Sequence, residues 1–466
     1  MTSPYALGME TVNQPMADID WAAMKQRFQQ FTAPTTVSEI LRSCLPELSS
    51  GARHMSACTV QDARLKTFIK TSSKIKSTLS ACYQLILREP SMSECSQYLV
   101  YLKAYLDGRS VEAFRSLTRN LSPDPEWAQA AIHVPEHDAI IWRFPHDPGL
   151  PHLPQLIDLQ TVTQHLPLEG LRQIGIAGTP QVMARHIVNY RPEIRCTNRY
   201  DLYDLCLDQT YQLFGKTFCH KEGQSLHTRL QYFWERSLCD SDAMRVAQPL
   251  GYSGSVNTVW QRGVPGTPLI EVLNPSNHEH YITALAQGLL SLHTSQVPGL
   301  TIHSTEDHVT EAHKKLAKLS DALPALTKTC MAMADDLEQT TPLTSTIPAC
   351  PIHWDFHIQQ LLAHEGRLVF CDLDELVIGD PIQDLANFIV DLHFRGLDRH
   401  MVRRISTALY HTYRRRVEWE VPITQLTWHV RLQLLNKAYR HYLRFAPGFE
   451  RTVEQILRLA QRGFSL

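Results

Sequence analysis

The sequence predicts an α+β protein in which β-rich segments run to about residue 273 and helices follow. Three observations predict it. Runs of alternating apolar and polar residues bounded by turn residues occur twice in the first 273 positions, which is strand patterning. Beyond residue 395, ISTALYHTYRRRVEW, LTWHVRLQLLNKAYRHYLRF and TVEQILRLAQRGF place apolar residues three and four apart, which is helix patterning. Between these regions, IHWDFHIQQLL (Ile352 to Leu362) and VFCDLDELVIGDP (Val369 to Pro381) are short apolar runs that each lead into an acidic residue. This places Asp355 and Asp372 at the ends of neighbouring strands, on loops where carboxylates meet ligands.

With 466 residues, 43% hydrophobic and 20% charged, the chain is long enough for a large core and two or three domains. A formal net charge of -2 gives no global basic field to draw it to nucleic acid or to a membrane surface. No uncharged apolar run reaches the roughly 20 residues of a membrane helix, and the N-terminus lacks a basic stretch followed by an apolar one, so a cytoplasmic protein is expected. The 11 cysteines are scattered without a CxxC pair and read as reduced core thiols.

Taken in order, residues 1–50 show one modest helix around Trp21 to Phe31 and are expected to form a loosely packed arm. Residues 51–165 and 166–273 echo each other. In both, an alternating strand and a turn lead to a strand with a central lysine followed two residues later by an aromatic, Lys103 with Tyr105 and Lys216 with Phe218. Each continues into a strand carrying a tryptophan, Trp142 and Trp260, before a turn rich in Pro and Gly. This pattern predicts two copies of one β-rich unit, with two unrelated hairpins as the bland alternative. The second copy leads into the helical part, residues 274–466, where 303–348 reads as a helical insertion with a Thr, Ser and Pro loop near Thr340 to Pro348 that would shape a pocket. Glu306, Asp307, Asp335, Asp336 and Glu338 read as a solvated helix face, as do Arg414 to Arg416.

The motifs resemble the aminoglycoside phosphotransferase and choline kinase family of the protein-kinase-like fold, whose catalytic loop reads His-x-Asp-x-x-x-x-Asn. His353, Asp355 and Gln360 take those places, and Asp372, Asp374, Gly379, Asp380, Pro381 and Asp384 to Ala386 follow the downstream pattern. Gln360 stands where Asn is usual, and it resembles a branch reading Asp-Phe-x-x-x-Gln. The resemblance implies a bilobal fold with a β-rich N-lobe, here apparently duplicated, and a helical C-lobe. It implies ATP and Mg²⁺ as cofactors and transfer of the γ-phosphoryl group to a hydroxyl of a small molecule. Asp355 would orient the hydroxyl and take its proton, His353 would hold the loop, and Asp372, Gln360 and Asp374 would hold the metal.

Lys216 would reach the nucleotide phosphates, with Glu235 on a helix from Ser225 to Leu238 as its partner, and the backbone of Val264 to Gly266 would meet the adenine between the lobes. Asp380 would stabilise its turn and Asp384 would anchor the next helix. No Gly-rich phosphate loop is present; the corresponding turn reads Arg191, Pro192, Glu193. Two other readings compete. One is a metal trio of His353, Asp355 and His357, which leaves the second acidic motif unexplained. The other is a non-catalytic nucleotide-binding module that uses the first β-rich unit to meet a protein partner. Residue types alone do not select the acceptor.

Overall fold

The computed structural model describes residues 21–69, 75–90, 94–105, 108–119, 129–176, 178–342 and 347–463. The readings of the extreme N-terminus and of residues 343–346 in the Thr, Ser and Pro loop lie outside them.

The chain enters through helices α1 (Trp21–Gln29) and α2 (Pro34–Cys44). The first sheet follows, built from β1 (His54–Ile69), β2 (Ile75–Arg88), β3 (Cys95–Tyr105), β4 (Ala131–Val134) and β5 (Ala139–Arg143), with α3 (Ser110–Leu117) between β3 and β4. Its order is β1-β2-β3-β5-β4, antiparallel throughout. The second sheet comprises β6 (Gln181–Arg191), β7 (Arg195–Asp204), β8 (Gln209–Phe218), β10 (Pro249–Ser253) and β11 (Thr258–Arg262). Between β8 and β10 lie α4 (Glu222–Cys239) and the short β9 (Arg245–Val246). Its order is β10-β11-β8-β7-β6. Both sheets therefore have one connection order: a three-stranded meander, a helix, then a hairpin returning beside the third strand. β7 alternates half-buried and buried residues along all of its length, the period-two pattern of a strand with one face on a core.

The helical part holds α5 (His278–His293), α6 (Thr305–Ala322) and α7 (Thr327–Gln339), then α8 (Ile382–His393), α9 (Arg399–Arg414), α10 (Ile423–Arg444) and α11 (Phe449–Arg462). Helix α11 buries Phe449, Val453, Ile456, Leu457 and Ala460, the single stripe its spacing predicts. Small strands carry the acidic motifs: β12 (Thr267–Pro268), β13 (Cys350–Ile352), β14 (Leu361–His364), β15 (Arg367–Phe370) and β16 (Val377–Gly379). β13 pairs with β16, whereas β15 lies between β14 and β9 in another sheet. The strands before Asp355 and Asp372 are thus not direct neighbours as expected; their following loops are what meet. The whole is the kinase-like α+β arrangement that the motifs predict, preceded by a β-rich unit of the same connection order. No helix among the described residues is long and apolar enough to cross a membrane.

The first sheet is covered on both faces from within the chain. Leu79, Ala81, Tyr83 and Leu85 of β2, with Val100 and Leu102 of β3, pack in one core with Phe28, Phe31, Val37 and Leu41, and that core continues into Phe445 and Phe449. On the other face Cys82 and Leu99 meet Ile187, Tyr190 and Cys196 of the second unit, while Tyr101, Ile140 and Trp142 meet Phe114 of α3. The neighbour visible on this unit is the second unit of the same chain. The expectation of a loose arm also fails for its described part, because Phe28, Phe31 and Leu41 are fully buried and the Tyr83 hydroxyl donates to the Phe31 carbonyl at 2.8 Å. The cysteines are free, but only some are core thiols: Cys82, Cys196, Cys330 and Cys350 are buried, and Cys95, Cys206 and Cys239 are exposed.

Phe28→Ala should cost about 3–5 kcal/mol of stability, the usual range for emptying a buried aromatic site. Urea unfolding checks it; a loss below about 0.5 kcal/mol, as at an unpacked surface position, would restore the loose-arm description.

Candidate active site

The loop after β13 is held by one carboxylate. Asp384, at the start of α8 and fully buried, accepts the backbone N–H of His353 at 2.7 Å and of Trp354 at 3.1 Å. It also lies 3.2 Å from Nε2 of His293, whose Nδ1 meets the Tyr413 hydroxyl at 2.7 Å. Trp354 has φ 74°, a left-handed conformation that costs a bulky residue free energy unless its surroundings impose it. The Asn387 side chain donates to the Trp354 carbonyl at 2.5 Å, so both backbone sides of this residue are tied to α8. The His353 ring meets the Cys371 carbonyl at 3.0 Å and joins the two acidic loops. A metal trio with Asp355 and His357 does not form, because that ring faces Cys371 and Asp355 pairs with Arg440 at 3.1 Å.

Asp372, also left-handed at φ 60°, lies two residues beyond β15 and meets Lys216 of the second sheet. Lys216 of β8 places its Nζ 2.5 Å from Asp372 Oδ1 and 2.5 Å from Asp374 Oδ2. Arg195 of β7 adds a 2.7 Å bond to Asp374. Burial would raise the Asp372 carboxyl, but the Lys216 and Arg195 charges outweigh it and hold the group well below the usual carboxylate range. Asp374 is raised, because its burial outweighs the same cations.

Glu235 does not pair with Lys216. It is exposed on α4, whose inward stripe is Leu226, Leu230 and Phe233, and the lysine's partners are the two aspartates. Arg195 is a site residue that sequence reasoning missed; its place directly after the Arg191 to Glu193 turn, opposite Arg191 in the β6–β7 register, is the signal that would have found it.

Asp372 and Asp374 offer hard oxygen donors on one turn, and Oδ1 of Asp374 is buried without a hydrogen-bond partner. Such a carboxylate oxygen fits a divalent cation. Gln360 is buried, and its amide oxygen accepts the His357 N–H at 3.2 Å within its own loop. Asp380 does more than close its turn: it receives the Ile382 N–H at 2.9 Å and binds His429 at 2.8 Å and Gln425.

The turn between β6 and β7, Arg191 to Glu193, is braced by the first unit. Lys103 of β3 donates to both oxygens of Glu193 at 2.7 and 2.8 Å. Asp147 receives the Glu193 N–H at 2.9 Å and the Tyr190 hydroxyl at 2.7 Å. Gly149 is required there, since a Cβ on it would lie 2.5 Å from the Glu193 Cα. The counterpart of Lys216 in the first unit is therefore spent on holding the second unit's turn.

Asp355 and Asp372 line one cleft of about 1140 Å³, bounded by β1–β3, β6, the acidic loops, α6 and α10. Trp354 forms part of its wall, stacked on His308 with ring centroids 5.4 Å apart. From the helical insertion, α6 gives His308, Glu311, Ala312 and Lys315 to the cleft wall.

Residues 221–419 match the model of the family described as phosphotransferase enzyme family, in keeping with the resemblance the motifs carry. No curated protein matches the chain. Among solved structures, ADP-bound aminoglycoside phosphotransferase APH(2'')-Ib is 13% identical with a TM-score of 0.41, covering 62% of this chain and 94% of its own. A thermostable mutant of aminoglycoside phosphotransferase APH(4)-Ia is 13% identical with a TM-score of 0.45, covering 62% and 97%. Choline kinase LicA from Streptococcus pneumoniae is 12% identical with a TM-score of 0.43, covering 62% and 96%.

A double-mutant cycle with Lys103→Met and Glu193→Gln should return a coupling of about 1–3 kcal/mol in denaturant unfolding, as for contacting charged groups; additive effects would remove the brace. His308 gives a pH prediction. Burial, then the His429 and His303 charges, push it down to about 3. The folded protein keeps it neutral while the unfolded chain protonates it near pH 6.5, so stability falls as pH drops from 6.5 toward 3. Wild type should lose about 2 kcal/mol through this group between pH 7 and 5, and His308→Gln should lose correspondingly less.

Proposed function

We propose that this chain is an ATP-dependent phosphotransferase that moves the γ-phosphoryl group to a hydroxyl of a small molecule. The observation that carries the reading is that Asp355 and Asp372 open into one cleft from separate loops, with Lys216 set against the second. Phosphoryl transfer needs this division of labour. The match of residues 221–419 supports the reaction class.

In this reading Lys216 and Arg195 supply positive charge to the nucleotide phosphates, and Lys103 keeps the turn at Glu193 in place from outside. Asp372 and Asp374 would hold Mg²⁺, with Gln360 as a further oxygen donor. The metal supplies charge neutralisation at the phosphates. Asp355 is a third exposed and faces the cleft, so it can accept a hydrogen bond from an acceptor hydroxyl. As the new O–P bond forms and the bond from the γ-phosphorus to the bridging oxygen breaks, Asp355 takes the hydroxyl proton and ADP leaves. His353, Asp384 and Asn387 keep the base in position without touching the reacting atoms.

One observation favours the non-catalytic reading: no glutamate on α4 pairs with Lys216. Against it, Asp355 remains open to the cleft on the other loop, opposite the Asp372 loop.

Asp355→Asn should lower turnover by about 10²–10⁴, the usual contribution of a positioned base, with nucleotide affinity changed less than about twofold. Steady-state phosphotransfer against pooled hydroxyl compounds, with calorimetry of nucleotide binding beside it, checks both parts. Wild-type turnover retained by Asp355→Asn contradicts the assignment; nucleotide binding without turnover in any pool moves the chain to the non-catalytic reading.

A further inference from the structure

The turn between β6 and β7 keeps its own backbone donors occupied. Pro192 has no N–H, that of Glu193 goes to Asp147 at 2.9 Å, and that of Ile194 goes to the Arg191 carbonyl at 3.0 Å. Glycine-rich loops cradle phosphates through such groups, so an anion at this turn has to be held by side chains. Guanidiniums flank it. Arg191 ends β6 directly opposite Arg195 at the start of β7, which puts like charges at neighbouring positions on one face and costs stability unless both are compensated. Arg195 is compensated by Asp374 at 2.7 Å and Asp372 at 3.6 Å. The half-buried Arg191 side chain makes no hydrogen bond or ion pair among the described residues.

A third guanidinium reaches the same place from the first unit. Arg64 of β1 stands opposite Ser80 of β2, and Ser80 opposite Lys103 of β3, so the three share one face of the sheet. With strands about 4.8 Å apart, Arg64 lies roughly 10 Å along that row from Lys103, whose ammonium already grips Glu193. A gap of about 20 Å³ between β1 and the turn is lined by Arg64, Ser80, Arg191 and Pro192, so the two arginines adjoin. Arg64 is likewise half-buried and unpaired among the described residues. Asp62 and Glu375 line the cleft nearby but bond to neither. Burial, then the charges of Arg64 and Arg195, hold Arg191 below the usual arginine range against the weaker opposite pull of those two acids. Both acidic loops are within reach of this group: despite burial, the charges of Asp372, Asp374, Glu375 and Asp355 raise Arg195.

We infer that Arg64 and Arg191 together hold the γ-phosphate of the bound nucleotide, so that the first β-rich unit supplies a residue to the reacting end of the site. This rests on the phosphotransferase reading. Their paired N–H donors match the non-bridging phosphate oxygens. These contacts persist while the bond from the γ-phosphorus to the bridging oxygen breaks and the bond to the acceptor oxygen forms; the hydroxyl proton goes to Asp355, and neither arginine exchanges one. Both arginines lie outside residues 221–419, so the family match does not speak for them. Arg185 also lines the cleft but lies six residues before Arg191 on β6, roughly 20 Å away at about 3.3 Å per residue, and takes no part.

The test is calorimetric titration of the full chain with ADP and with AMP-PNP, each at saturating Mg²⁺, which needs no knowledge of the acceptor. R64Q and R191Q should each weaken AMP-PNP binding about tenfold, the size of one lost charge-assisted contact, and change ADP binding less than about twofold. R185Q should leave both affinities unchanged, which separates a γ-phosphate contact from the mere loss of positive charge in the cleft. Retained ADP affinity reports that the variants are folded. If R64Q folds poorly, R64K keeps the charge without the paired donors and should still show a loss confined to AMP-PNP. Equal losses for the two nucleotides, undiminished AMP-PNP affinity in the Arg64 variants, or an effect of R185Q as large as theirs would each overturn the inference alone. If wild type binds neither nucleotide, the phosphotransferase reading falls and this inference with it.

Discussion

Everything at the candidate site depends on one buried carboxylate. Asp384 has no solvent to share its charge, and the backbone N–H groups of His353 and Trp354, with the His293 ring, take solvent's place. Its two oxygens fix the backbone just before Asp355, and the left-handed Trp354 follows from that grip. The strain is local, and its support comes from α8, a helix buried along nearly its whole length. A carboxylate carried on such a loop, as Asp355 is, keeps its place without contributing much to the core itself.

The same logic of holding a flexible element from a rigid one recurs at the other loop. The β6–β7 turn at Arg191 to Glu193 has no glycine and little intrinsic shape to offer, and here the shape comes from outside, through Lys103, Asp147 and Gly149. A lysine at the third strand of a β-rich unit has two fates in this chain. In the second unit it meets the acidic turn; in the first it meets the second unit's own turn. The unit that precedes the kinase-like part is thus bound into the site, and both of its faces are occupied by the chain itself.

Much of this was legible in residue order. Strand alternation located both sheets, and the matched Lys and Trp positions anticipated their common connection order. The apolar runs before Asp355 and Asp372 located the loops. What periodicity does not encode is which partner a charged side chain chooses. Glu235 has the composition of a lysine partner but lies off the inward stripe of α4, whereas Asp374, two residues from Asp372, is within reach of the same ammonium. The packing of α1 and α2 was illegible for a related reason: Tyr83 and Phe445, which cover them, lie far away in sequence. The pairing of β13 with β16 was likewise hidden, since runs of three residues carry too little pattern to choose a sheet.

The central claim is that the Lys216, Asp372 and Asp374 cluster forms the metal-and-phosphate end of a nucleotide site. Its most direct measurement is the affinity of the full chain for AMP-PNP across a Mg²⁺ titration, for wild type and Asp372→Asn. The account predicts that Mg²⁺ strengthens binding to wild type and that this dependence disappears in Asp372→Asn. An unchanged Mg²⁺ dependence in the variant, or none in wild type, would contradict it.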